Sequence, residues 1–201
     1  MRAGPIGGWL VVGGSVLYLT AVAIVLAGGG TCTGCVESSG RRVTDPGGVV
    51  IIAGTALIGA GSAVLAIAGP TPFHALRMRL SLGALTVGLL TYLAVLVVSV
   101  IGASETAMDA AVLLALSAMV IGPLATGLSL VTMRGPSRAV GVLFLVGLLL
   151  LVLREVLRPY VADDAPLGAV AALGWAAVFL SGLGVGLLGI YGDRSTSLVP
   201  T

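Results

Sequence analysis

The chain contains no lysine, asparagine or glutamine; its ten basic residues are all arginine, and charged residues of both signs make up only 9% of its 201 positions. So little charge excludes an ordinary water-soluble domain, in which about a quarter of residues are charged. Without lysine there is no phosphate-binding glycine loop of the kind that ends in that residue. With aromatics at 4% and a net charge of only +2, there is no basic face interleaved with rings, and no nucleic-acid partner is expected. The missing amides remove side chains commonly used to grip sugars, amino acids or nucleobases. The single histidine, His74, has no serine and carboxylate set around it for nucleophilic catalysis.

What the chain does have is apolar length. Hydrophobic residues make up 58% of it, arranged in six stretches over 9–28, 48–69, 81–103, 110–133, 139–158 and 166–191. None has a charge near its middle, and a span needs about 20 helical residues to cross a hydrocarbon core of about 30 Å. The expected fold is an all-α, polytopic integral membrane protein, one domain over 1–201 forming a six-transmembrane-helix bundle. Residues 29–47 form the longest loop, too short for an independent extracytoplasmic domain.

Arginine placement sets the expected orientation. Arg2, Arg77, Arg79, Arg134, Arg138 and Arg194 share one side with a single acid, Asp193. The other side carries Arg41, Arg42, Arg154 and Arg158 against Glu37, Asp45, Glu105, Asp109, Glu155, Asp163 and Asp164. By the positive-inside rule both termini are cytoplasmic. Alanine, glycine, valine and leucine dominate, and arginine replaces lysine, a composition that suggests a GC-rich prokaryote and hence its plasma membrane. The competing reading of the N-terminus is a cleaved signal peptide, since Arg2 precedes an apolar run with a small-residue exit at Ala27-Gly28-Gly29-Gly30. That run exceeds an ordinary signal core, and a retained first span is expected.

Local punctuation agrees with the spans. Asp45-Pro46 reads as a cap and first-turn proline opening the second helix, and Thr71-Pro72 as the opening of the third. Thr106 and Asp109 have capping-box spacing before the fourth, and Asp164-Ala165-Pro166 marks the start of the sixth. Gly122-Pro123 falls within the fourth span, where proline removes a backbone hydrogen bond, so a helix kink is expected there. Gly54, Gly59, Gly61 and Ser62 crowd the second span, and Gly182 and Gly186 form a GxxxG in the sixth. Small residues at this spacing allow close helix packing, within the bundle or, alternatively, in a homodimer through Gly182 and Gly186. Most serine and threonine hydroxyls in the spans are expected to bond backbone or a neighbouring helix.

Two clusters at the edges could carry chemistry. Arg154, Glu155 and Arg158 end the fifth span, where they can snorkel to the headgroups or bind an anionic lipid or small acid. On the opposite side Arg77 and Arg79, with His74, could meet anionic lipids. Cys32-Thr33-Gly34-Cys35 follows the first span on the side that is oxidising in a prokaryotic envelope. A structural disulfide between Cys32 and Cys35, thiol exchange and a metal shared across a dimer are the readings of this pair; Val36 in place of histidine excludes c-type haem attachment. The pair's position resembles the first cysteine pair of disulfide-generating membrane proteins of the DsbB type, which implies redox exchange at Cys32 and Cys35. Those proteins also carry a second extracytoplasmic cysteine pair, and this chain has no third cysteine.

With no ionisable group at membrane depth, ion-coupled transport lacks its usual residues. The expected function is therefore non-catalytic: an accessory or scaffold subunit, or a protein that handles apolar, lipid-like ligands. No cofactor, metal or catalytic residue is assigned. The alternatives are an extracytoplasmic thiol-disulfide oxidoreductase using Cys32 and Cys35, and a transporter or channel for a small solute lined by hydroxyls near Pro123. Expected partners are the lipid bilayer and another membrane subunit or a second copy.

Overall fold

The structure is a computed structural model that describes residues 3–27, 46–70, 73–101, 120–161 and 164–192. It is all-helical over these residues. The helices are α1 (Ala3–Ala27), α2 (Pro46–Ala68) and α3 (Leu76–Ile101), α4 (Val120–Val131), then α5 (Pro136–Leu157) and α6 (Asp164–Tyr191). Among them, α1, α3, α5 and α6 contain stretches long and apolar enough to cross a membrane. The described apolar lengths of α2 and α4, Ile52–Ala68 and Val120–Val131, are shorter.

Helix ends follow local chemistry. Pro46 and Pro136 stand in the first turns of α2 and α5, where a missing N–H breaks no helical bond. Gly135, at φ 74°, turns the chain into α5 in a conformation that glycine adopts without penalty. At its far end α2 closes with the Gly69 N–H donating to the Leu65 carbonyl, and His74 Nε2 lies 2.8 Å from the Gly69 carbonyl oxygen. The apolar stretches at 9–28 and 81–103 belong to helices that begin earlier, at Ala3 and Leu76. Arg77 and Arg79 stand in the first turn of α3; the Met78 and Arg79 amides bond the Ala75 carbonyl, and the long arginine side chains stay exposed. Thr71-Pro72, Thr106 and Asp109 lie outside the described residues.

Consecutive helices pack side by side, and α6 returns against α1, so the sequence of contacts closes on itself. Contact registers run in opposite directions along each pair. In α1 and α2, Gly14 meets Gly54 while Gly7 meets Gly61. Ser81 of α3 meets Ser129 of α4 while Leu85 meets Gly122. Gly141 of α5 meets Val131 of α4 while Leu145 meets Gly127, Gly147 of α5 meets Gly174 of α6 while Val140 meets Gly184, and Gly8 of α1 meets Gly186 of α6 while Ser15 meets Gly182. Every neighbour is therefore antiparallel, and Arg77, Arg79, Arg134 and Arg138 gather at one end while Arg154 and Arg158 lie at the other.

The core sits toward the end where α1 begins. Val11, Leu65, Phe73, Met78, Leu82, Leu130 and Val185 are almost fully buried and form one cluster, against which Val140 of α5 packs. All six helices thus contribute to it. Pro70, in the turn after α2, is buried beside Gly4 and Gly192 and links the start of α1 to the end of α6.

Glycine sets how closely the helices approach. A methyl group on Gly14 would lie 2.6 Å from the Gly54 carbonyl oxygen, and one on Gly186 would lie 2.8 Å from that of Gly8. Gly83, by contrast, has nothing within 4 Å of that position. Gly14→Ala is expected to lower stability by about 1–3 kcal/mol through overpacking. Gly83→Ala is expected to leave stability unchanged or raise it by up to about 1 kcal/mol. Thermal unfolding of both variants in detergent compares them directly, and equal effects would contradict the backbone-contact account.

Candidate functional site

Two regions hold the polar chemistry of the described structure: a buried hydroxyl and aromatic cluster between α1, α2 and α6, and the arginines at the two ends. In the cluster, the Tyr18 and Thr55 hydroxyls are hydrogen-bonded across α1 and α2. The Tyr18 ring stacks on Phe179 of α6 with centroids 4.2 Å apart, and Phe179 stacks on Trp175 at 5.7 Å. Gly54 makes this approach possible, since a methyl there would lie 2.9 Å from the Tyr18 ring. Ser15 faces Gly182, whose added methyl would lie 2.5 Å from the Ser15 hydroxyl oxygen. The Ser15 and Ser62 hydroxyls are buried without a hydrogen-bond partner.

Other hydroxyls close onto their own helices. Thr20, Thr86, Thr91, Thr126 and Ser181 donate to carbonyls four residues back, at 2.7–2.9 Å. Ser81 and Ser129 join α3 to α4 at 2.9 Å, and Ser81 also lies 2.7 Å from the Arg77 carbonyl oxygen. Bonds within a helix satisfy the hydroxyl without offering it to a ligand. Among the described residues there is no group of three or more His, Cys, Asp or Glu side chains that could hold a metal ion.

The expected edge sites are distributed as follows. Arg154 forms an ion pair with Glu155, and Arg158 lies 4.0 Å from the other Glu155 oxygen. The Arg154 side chain is largely covered, and its Nε is buried without a partner. Glu155 is thus shared between two arginines. Arg77 and Arg79 are exposed at the opposite end, beside His74, whose ring bonds the end of α2. Cys32 and Cys35 lie outside the described residues, and so does any disulfide between them. The kink expected at Gly122-Pro123 depends on residues before Val120, which are also outside; within α4, Gly122 packs on the backbone of Leu85.

Gly182 and Gly186 face α1 of the same chain, against Ser15 and against Gly8 and Val12. These two glycines therefore pack within the bundle, where α6 returns against α1. Sequence reasoning singled out the hydroxyls but not their pairing. The Tyr18, Phe179 and Trp175 stack joins residues more than 150 positions apart, and no local pattern links them.

These features define a class: the described residues are all-helical, and among them four helices are long and apolar enough to cross a membrane. The chain matches no protein-family model, no curated protein and no solved structure.

The Tyr18 to Thr55 bond has a measurable weight. Tyr18→Phe and Thr55→Val are expected each to cost well under 2 kcal/mol, with a coupling of about 0.6 kcal/mol, typical of hydrogen bonds between membrane helices. Tyr18→Ala, which also removes the stack on Phe179, is expected to cost about 3 kcal/mol or more. A double-mutant cycle on unfolding checks both values, and a coupling near zero would remove the bond from the account.

Proposed function

We propose that the protein is a six-span, non-catalytic membrane subunit with both termini in the cytoplasm, acting through its lipid-facing surface and its loops as an accessory or scaffold component. The observation that carries this reading is the filled interior. Val11, Leu65, Leu82, Leu130 and Val185, from five helices, are each 3% exposed or less and lie in one cluster. Charged side chains of the described residues stand only near the helix ends. A solute pathway needs polar, hydrated walls through the bundle, and acid–base catalysis needs titratable groups placed together. The described interior supplies hydroxyls bonded largely to backbone and stacked rings instead.

α2 and α4 complete the six spans in this reading. Each packs between two neighbours as the longer helices do, and the chain outside their described parts is apolar at 110–119. The two cysteines fall in one loop, on the side opposite Arg77 and Arg138.

Topology and activity are tested separately. In intact cells, a membrane-impermeant thiol reagent is expected to label Cys32 and Cys35 after mild reduction, while tags on both termini become accessible only after permeabilisation. A tag accessible from outside would overturn the six-span orientation. Purified full-length protein in liposomes is expected to leave ion and small-solute leakage at the level of protein-free vesicles. Protein-dependent flux would favour the transporter reading, and quinone-dependent oxidation of a thioredoxin-like partner would favour the oxidoreductase.

A further inference from the structure

We propose that the outer face of α5 holds one anionic phospholipid at the arginine-rich end of the bundle. Arg138 and Arg134 take the phosphate, and one acyl chain lies along Val142, Leu143 and Val146. The inference rests only on the membrane-spanning reading of the helices and is independent of the scaffold role.

A shallow, open face of α5 is formed by Gly135, Arg138, Ala139, Val142, Leu143 and Val146, and it is almost wholly apolar apart from the arginine. These positions recur every three or four residues, so they form one stripe along the helix, about 16 Å from Gly135 to Val146 at the helical rise. All six are exposed. The stripe has the polarity of a lipid: a cationic mouth at one end and a hydrocarbon surface leading away from it.

The mouth has three sources of positive potential. Arg138 lies on this face and Arg134 stands exposed in the turn just before it, and neither is in an ion pair with a described residue. The third is the start of α5 itself. Gly135 makes no side-chain bond to the first turn, but Pro136 has no N–H and the Arg138 N–H already donates to the Gly135 carbonyl. What the start of α5 adds is therefore the weak positive field of its dipole rather than a set of free donors.

Charge also argues for lipid over a second copy. A parallel two-fold contact along α5 would set Arg138 against Arg138. The opposite end of α5 differs, because Glu155 already pairs with Arg154 and approaches Arg158. An anionic headgroup has more to gain at Arg138 than at Arg154.

The test uses full-length protein released from nanodiscs of mixed phosphatidylglycerol and phosphatidylcholine, with retained lipid counted by native mass spectrometry. Wild type is expected to keep one phosphatidylglycerol in preference to phosphatidylcholine. Arg134→Gln and Arg138→Gln are each expected to reduce that retention about fivefold, and the pair about 25-fold. Leu143→Trp, which keeps both arginines but fills the apolar stripe, is expected to reduce it several-fold. Arg154→Gln is expected to leave it unchanged. Unaltered elution and thermal unfolding establish that the variants are folded. Equal retention of the two lipids, wild-type retention in the double variant or in Leu143→Trp, or an equal loss in Arg154→Gln would each overturn the proposal.

Discussion

Close backbone approach at glycine is the constraint on which the rest of this structure depends. Between helices in lipid there is no hydrophobic drive, because hydrocarbon tails are as apolar as leucine, so association relies on dispersion and a few hydrogen bonds. Dispersion decays steeply with separation, and only residues without a bulky side chain bring helical backbones near enough to use it. At Gly7, Gly14, Gly54 and Gly61 the α1 and α2 backbones meet in this way, and at Gly8 and Gly186 α1 meets α6. The Tyr18 stack and the Ser15 to Gly182 contact depend on those approaches, since a wider spacing would pull the rings and the hydroxyl apart.

That packing has a consequence for function. The small residues are used inside the bundle, on α1, α2 and α6, whereas α5 directs Val142, Leu143, Val146, Leu149, Val152 and Val156 outward. In the proposed reading, recognition belongs to the periphery: the α5 face and the arginine clusters. The two ends of α5 are chemically unlike. At one, Glu155 offsets two arginines; at the other, Arg134 and Arg138 are unopposed by any described carboxylate.

Much of this was legible in the chain itself. Pro46 and Asp164 open their helices where the turn chemistry places them. The third helix begins ahead of its apolar stretch, at Leu76, because Arg77 and Arg79 in its first turn reach water by extending their side chains. Glu155 and Arg158 pair as their spacing allows. The edge clusters were visible for a local reason: their residues are neighbours in sequence.

Apolar run length, the scarcity of charge and the arginine bias are properties of the sequence by itself, and they determine an all-helical, bilayer-compatible chain, since a helix satisfies its own backbone without any partner. Which face each helix shows to which neighbour was decided only by the tertiary structure. Each span is apolar all round, so no periodic stripe marks its inward side. The direction of Gly182 and Gly186 toward α1, the stacking of Tyr18 on Phe179 and the outward turn of the Arg138 face follow from shape complementarity between distant segments. That is a property of pairs of helices, and no single stretch of chain contains it.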